Sequence, residues 1–135
     1  MVQGKCQCGE VRYQAAGEIT DLSHCHCSMC RKLHGAAFVT FAGVTRESFE
    51  WTRGDAALQT YASSDAIDRF FCGNCGSQLG CTYKPEPDLI YLAMGTVDGN
   101  PASPPAYHQF AASKAPWFEI TDGLPQHATW PEESS

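Results

Sequence analysis

The stretch Asp68-Arg-Phe-Phe-Cys72-Gly-Asn-Cys75-Gly-Ser-Gln78-Leu-Gly-Cys-Thr-Tyr83 reads as strand, tight turn, strand. Its middle is a C-x-x-C followed by glycine, the knuckle turn of zinc ribbons, and the runs Asp68–Cys72 and Gln78–Tyr83 are of strand length. Outward from it the same grain continues. Glu10–Gln14 alternates Val11 and Tyr13 with polar neighbours, the period-2 signature of a half-buried strand. Ala37–Phe41, Phe49–Thr52, Leu58–Ala62 and Leu89–Ala93 are further short strands, separated by turn residues at Arg53-Gly-Asp, Ser63-Ser-Asp, Lys84-Pro-Glu-Pro-Asp and Asp98-Gly-Asn-Pro. This pattern predicts an all-β fold, sandwich-like or barrel-like, rather than a parallel α/β sheet. One helix is expected, over Ser28–His34, with Ser28 as its N-cap and Gly35 just past its end. Gly99–Tyr107, with three prolines, reads as a loop. A single domain over 1–130 with a frayed tail over 131–135 accounts for the whole chain.

Seven of the eight cysteines fall into three clusters: Cys6-Gln-Cys8, Cys25-His-Cys27-Ser-Met-Cys30 and Cys72-Gly-Asn-Cys75. A structural zinc takes four protein ligands, whereas a reactive zinc takes three and leaves the fourth position to water or substrate. The two pairs make four ligands and the trio makes three. Cys6 and Cys8 in a strand would present both thiols on one face, and Gly9 relieves crowding where the backbone bends. The expected assignment is therefore a closed site on Cys6, Cys8, Cys72 and Cys75, and an open one on Cys25, Cys27 and Cys30, at the start of the helix. Two alternatives remain at this level. The trio could recruit a fourth ligand from Cys81, His24, His26 or His34, or C-x-x-C could be a redox motif, although no βαβ unit accompanies it.

Bulk composition narrows the partners. The 135 residues are 43% hydrophobic and 18% charged, with a formal net charge of −6. Filling both sites with zinc thiolates would add about −3 more. Nucleic-acid affinity comes mainly from neutralising phosphates, so an acidic domain with scattered basic residues makes a poor candidate for it. No run approaches a membrane span, and Met-Val-Gln-Gly-Lys leads into the first cysteine pair without a charged-then-apolar segment. The expected setting is the cytoplasm, where clustered thiols stay reduced and bind metal.

The blocks Gly4-Lys-Cys6-Gln-Cys8-Gly9-Glu-Val11-Arg-Tyr13, Cys25-His-Cys27-Ser-Met-Cys30-Arg-Lys and Phe71-Cys72-Gly-Asn-Cys75-Gly-Ser77 resemble the glutathione-dependent formaldehyde-activating enzyme (GFA, or centromere-protein-V-like) family. Ala93-Met-Gly95-Thr-Val-Asp98 and Ser113-Lys-Ala-Pro-Trp117 extend the resemblance along nearly the whole chain. It implies several coiled antiparallel β-sheets and two zinc ions per chain. One ion would be structural, on Cys6, Cys8, Cys72 and Cys75; the other would be catalytic, on Cys25, Cys27 and Cys30. It also implies a carbon–sulfur lyase activity that joins a small thiol, glutathione, to an aldehyde, formaldehyde. In that chemistry Arg31 and Lys32 would anchor a carboxylate or offset thiolate charge, and His34 or His108 would supply a proton. Trp117 and Phe118 are expected in the core. The competing class is a non-catalytic zinc module for a protein partner or, less favoured, a nucleic acid; exposed β edges would also allow homodimers.

Overall fold

The computed structural model describes residues 1–99 and 104–131. The proline-rich loop expected over 99–107 lies partly outside this range, and the tail expected over 131–135 lies almost wholly outside it. The chain runs β1 (Val2–Lys5), β2 (Arg12–Ala15), β3 (Asp21–Cys25), α1 (Ser28–His34), β4 (Val39–Thr45), β5 (Phe49–Arg53), β6 (Leu58–Ala62), β7 (Ile67–Cys72), β8 (Gln78–Tyr83), β9 (Leu89–Ala93) and β10 (His108–Gln109). One sheet has three strands in the order β1-β2-β5, and the other has seven in the order β10-β3-β4-β9-β8-β7-β6. Every pairing is antiparallel except β10 against β3. The fold is thus mainly β with one short α-helix among the described residues, as the strand-and-turn pattern predicts.

Apolar side chains from both sheets meet in one core. Val2, Tyr13 and Ala15 of the small sheet pack with Ala42, Val44, Leu79, Ile90 and Leu92 of the large one, and Cys6 and Cys72 belong to the same cluster. A second cluster gathers Cys25, Cys30, Val39, Phe41 and Cys81, with Cys27 and Phe110 packed against it. Each cysteine group is therefore rooted in its own patch of core. Burial alternates along β1 and β2, as expected where one face is covered, whereas the middle of β4 is buried on both faces.

Gly4 is the tightest point of the small sheet. A Cβ built there would lie 2.5 Å from the carbonyl oxygen of Thr96 and closer still to the hydroxyl of Tyr13. That ring is buried and its hydroxyl is tied to Thr96 Oγ1 at 2.7 Å, so it has nowhere to retreat. Gly4→Ala should therefore destabilise the fold by on the order of 3 kcal/mol through overpacking. The check is a denaturant midpoint measured at fixed zinc; an unchanged midpoint would mean that the site relaxes freely.

Candidate metal centres

Cys6 follows β1 and opens a turn in which the Gly9 N–H donates to the Cys6 carbonyl at 3.1 Å. The expected strand placement of Cys6 and Cys8 is corrected here. The chain turns at this pair, with Gly9 at φ +77°, where glycine pays no Cβ penalty. Cys72 ends β7, and the Gly76 N–H donates to its carbonyl at 2.8 Å, with Gly76 at φ +81°. The two turns are stitched together: the Gln7 N–H donates to Ser77 Oγ at 2.9 Å, and Asn74 Nδ2 donates to Cys8 Sγ at 3.3 Å.

Cys6 and Cys8 sulfurs are 3.6 Å apart, Cys8 and Cys72 sulfurs 3.9 Å, and all four sulfurs lie within 4.8 Å of one another. A tetrahedral zinc with bonds near 2.3 Å sets its sulfurs about 3.8 Å apart, so the group fits such an ion. The Ser77 hydroxyl, then backbone N–H groups of Cys8 and Ser77, pull the Cys75 thiol down to about 5. Burial instead pushes Cys72 up to about 11, a cost that a bound cation would reverse.

The trio sits where a strand hands over to a helix. Cys25 is the last residue of β3, Cys27 is the N-cap of α1, and Cys30 lies in its first turn. The cap is one residue earlier than the expected Ser28: Cys27 takes the extended conformation and its sulfur accepts the Cys30 N–H at 3.3 Å. Gly35 closes the helix in the left-handed region, as expected. Cys27 and Cys30 sulfurs are 3.0 Å apart and Cys30 and Cys25 sulfurs 3.6 Å. Hydrogen bonding with the Cys25 and Cys30 side chains, then the Cys30 backbone N–H and the Arg69 charge, hold Cys27 well below the usual thiol range. Hydrogen bonding with the Cys27 and Cys30 side chains, and then burial, push Cys25 far above it.

Among the described residues no further Cys, His, Asp or Glu joins these three sulfurs within 4.8 Å of them all. The proposed fourth ligands lie elsewhere. Cys81 is a buried member of the surrounding apolar cluster. His34 packs edge-on to Phe41, and burial lowers its basicity to about 4. His24 Nδ1 pairs with Thr40 Oγ1 at 2.8 Å. His26, between two of the cysteines, turns to His108: its Nε2 lies 2.8 Å from His108 Nδ1. His108 Nε2 in turn meets Asp122 Oδ2 at 2.8 Å, while His26 Nδ1 is buried without a hydrogen-bond partner among the described residues. His24, His108 and Asp122 also converge within 4.8 Å, but these contacts already satisfy the His108 ring without an ion.

A family model for the glutathione-dependent formaldehyde-activating enzyme, GFA, matches residues 1–113. The chain belongs to this family. Its match takes in all seven clustered cysteines and stops short of Asp122. An uncharacterized lyase of Schizosaccharomyces pombe is 33% identical over 81 residues, covering 60% of this chain and 57% of the relative. A Halomonas elongata protein, provisionally named a glutathione-dependent formaldehyde-activating enzyme, is 26% identical over 143 residues, covering 99% and 91%. One from Fusarium vanettenii, named in the same way, is 32% identical over 100 residues, covering 70% and 54%. The chain thus spans little more than half the length of the two fungal relatives. A crystal structure of a Rhodobacter sphaeroides protein superposes with a TM-score of 0.61 at 24% identity, covering 73% of this chain and 89% of that one, a likeness of fold.

Several features of this GFA chain were not legible in its sequence. Arg69 is 2% exposed and points its guanidinium at the trio, with Nη1 3.4 Å from Cys30 Sγ. Asp122 and the pairing of His26 with His108 join residues far apart in the chain, which no local spacing reports. Trp117, expected in the core, is instead 72% exposed, and Lys114 is held by the carbonyls of Ala115 and Phe118. The Arg31 Nε is buried without a partner among the described residues, so this residue is not simply a solvated cation, whereas Lys32 is exposed. A groove of about 750 Å³ is lined by residues such as Met1, Glu18 and Pro104 and contains none of the cysteines. No helix among the described residues is long and apolar enough to cross a membrane.

Proposed function

We propose that this chain is a zinc-dependent carbon–sulfur lyase of the S-hydroxymethylglutathione synthase type. In this reading Cys25, Cys27 and Cys30 hold a reactive zinc, and Cys6, Cys8, Cys72 and Cys75 hold a structural one. The observation that carries the reading is the unequal count of converging sulfurs, four in one group and three in the other, with no fourth ligating side chain among the described residues. A zinc on the trio would supply the charge that lets a small thiol shed its proton near neutral pH.

The rest falls to the chain's own groups. The three sulfurs fix the place of reaction at the helix start, and the surrounding core residues Val39, Phe41 and Phe110 keep that side dry. The Cys30 N–H and Arg69 guanidinium hold the trio's negative charge. In the forward direction the thiol sulfur bonds to the aldehyde carbon, the carbonyl π bond opens, and the oxygen takes a proton from water; the lyase direction reverses each step. The names of the relatives motivate glutathione and formaldehyde as the pair, within a broader class of small thiol and aldehyde. A single domain over 1–130 in a reducing, cytoplasmic setting completes the proposal.

A chromogenic chelator added to freshly purified protein should release two zinc ions per chain, one fast and one slow. The same protein should accelerate exchange between glutathione, formaldehyde and their adduct in two-dimensional exchange NMR. Two equally slow zincs, or exchange at the uncatalysed rate with either direction of mixing, would overturn the reading.

A further inference from the structure

Arg69 lies in the middle of β7, a position where a long cation usually reaches solvent. Here it is 2% exposed. A buried guanidinium is tolerated only with a partner charge and filled hydrogen bonds. Its Nε donates to Ser63 Oγ at 3.0 Å and its Nη1 to Cys30 Sγ at 3.4 Å. Among the described residues no carboxylate lies within ion-pair distance of it. Its register partner across the strand, Cys81, is a buried member of the apolar cluster, and Arg69 hydrogen-bonds to Ser63 and Cys30 rather than to it. Among the described residues, the group within its reach that would turn anionic on holding a metal is the sulfur trio.

We propose that Arg69 is a built-in counter-charge of the metal-loaded Cys25–Cys27–Cys30 site, and that it sets the site's preference for an anionic incoming ligand over a neutral one. This rests on the zinc reading given above. Three thiolates and a divalent ion sum to −1, and the guanidinium brings the buried assembly to zero. A thiolate approaching from outside then meets a neutral site instead of a negative one. A neutral ligand such as imidazole gains nothing from the extra charge. Arg69 touches no reacting atom in this account; it is a positioning residue acting through Cys30.

The test uses the full chain with cobalt in place of zinc, its visible spectrum reporting the trio's ligands. 2-Mercaptoethanol and imidazole are titrated separately into wild type, Arg69→Met and Arg69→Lys. A unit charge several ångströms away at an effective dielectric near 20 changes anion affinity by on the order of 10- to 100-fold. Arg69→Met should therefore weaken thiol binding at least about 10-fold while moving imidazole binding less than about 3-fold. Arg69→Lys should recover most of the thiol affinity, which a loss of packing alone would not do.

Equal losses for both ligands, or none for either, would overturn the inference. If wild-type cobalt protein ignores thiols altogether, the proposed activity fails, and the counter-charge is then decided on metal affinity. Loss of such a neighbour typically costs 10- to 100-fold in metal affinity, so Arg69→Met should shed trio metal that much more readily while the four-sulfur site is unchanged. Unchanged trio affinity would overturn the counter-charge as well.

Discussion

Cys75→Ser is expected to leave the protein largely unfolded at 25 °C, with collapsed amide dispersion and neither zinc retained. The reason is connectivity. The four-sulfur group binds the turn after β1 to the turn after β7, and Cys8 and Cys72 are 64 residues apart. These two turns close the same core patch, in which Cys6 and Cys72 are buried among Val2, Tyr13 and Leu79. A structural zinc contributes on the order of 10 kcal/mol to folding, whereas a domain of this size has a net stability of about 5–15 kcal/mol. Losing one of four ligands removes a large share of the first quantity and so most of the second. Cys75 is the better probe than Cys72, because it is only partly buried and its replacement leaves no buried hydroxyl to confuse the result. A Cys75→Ser protein that melts within a few degrees of wild type would show that this site is dispensable for the fold.

The sequence made the cysteine groups and much of the strand pattern legible, because both are written in local spacing. Leu58–Ala62, Gln78–Tyr83 and Leu89–Ala93 are strands with the bounds that the pattern gives. What escaped was set by tertiary structure. Asp21–Cys25, which delivers the first sulfur of the trio, is polar enough to read as loop, yet it pairs along its full length with β4 and is mostly buried. Val2–Lys5 is too short and glycine-containing to announce itself, and β10 has two residues. The expected strand at Ala37–Phe41 begins later, at Val39, and continues to Thr45, because Gly43 lets Tyr91 and Asp21 close over it.

Arg69 escaped for a related reason. Arg69 and Cys72 of β7 face opposite sides of the sheet, and each side meets its own buried cluster. Arg69 and Cys72, three residues apart, are then both buried. A period-2 reading cannot place both inside, and a lone arginine between Asp68 and Phe70 defaults to the solvent face. The residue that neutralises the trio is thus invisible until the strand is paired. The trio itself could be read from spacing alone.

Cys27→Ser should do the reverse of Cys75→Ser: keep the fold and lose the chemistry. Serine is among the strongest N-cap residues, and its hydroxyl can accept the Cys30 N–H that Cys27 Sγ accepts now, so α1 keeps its start. The trio packs in its own small apolar cluster at the end of β3, apart from the four-sulfur turns, so the main core is untouched. The substitution removes one of the three converging sulfurs, leaving two thiols that cannot retain an ion with an exchangeable position. The expected protein melts within about 5 °C of wild type, a change of roughly 1–2 kcal/mol. It should hold one slowly released zinc and accelerate thiol–aldehyde exchange at least about 10³-fold less than wild type, as expected when the group that generates the nucleophile is lost. Cys27→Ala, lacking the cap as well, should be less stable than Cys27→Ser yet equally inactive. That ordering separates the helix role of residue 27 from its ligand role. A Cys27→Ser protein that unfolds as Cys75→Ser does would make the trio a second structural site, and one that keeps its activity within about 10-fold would remove the trio from the reaction.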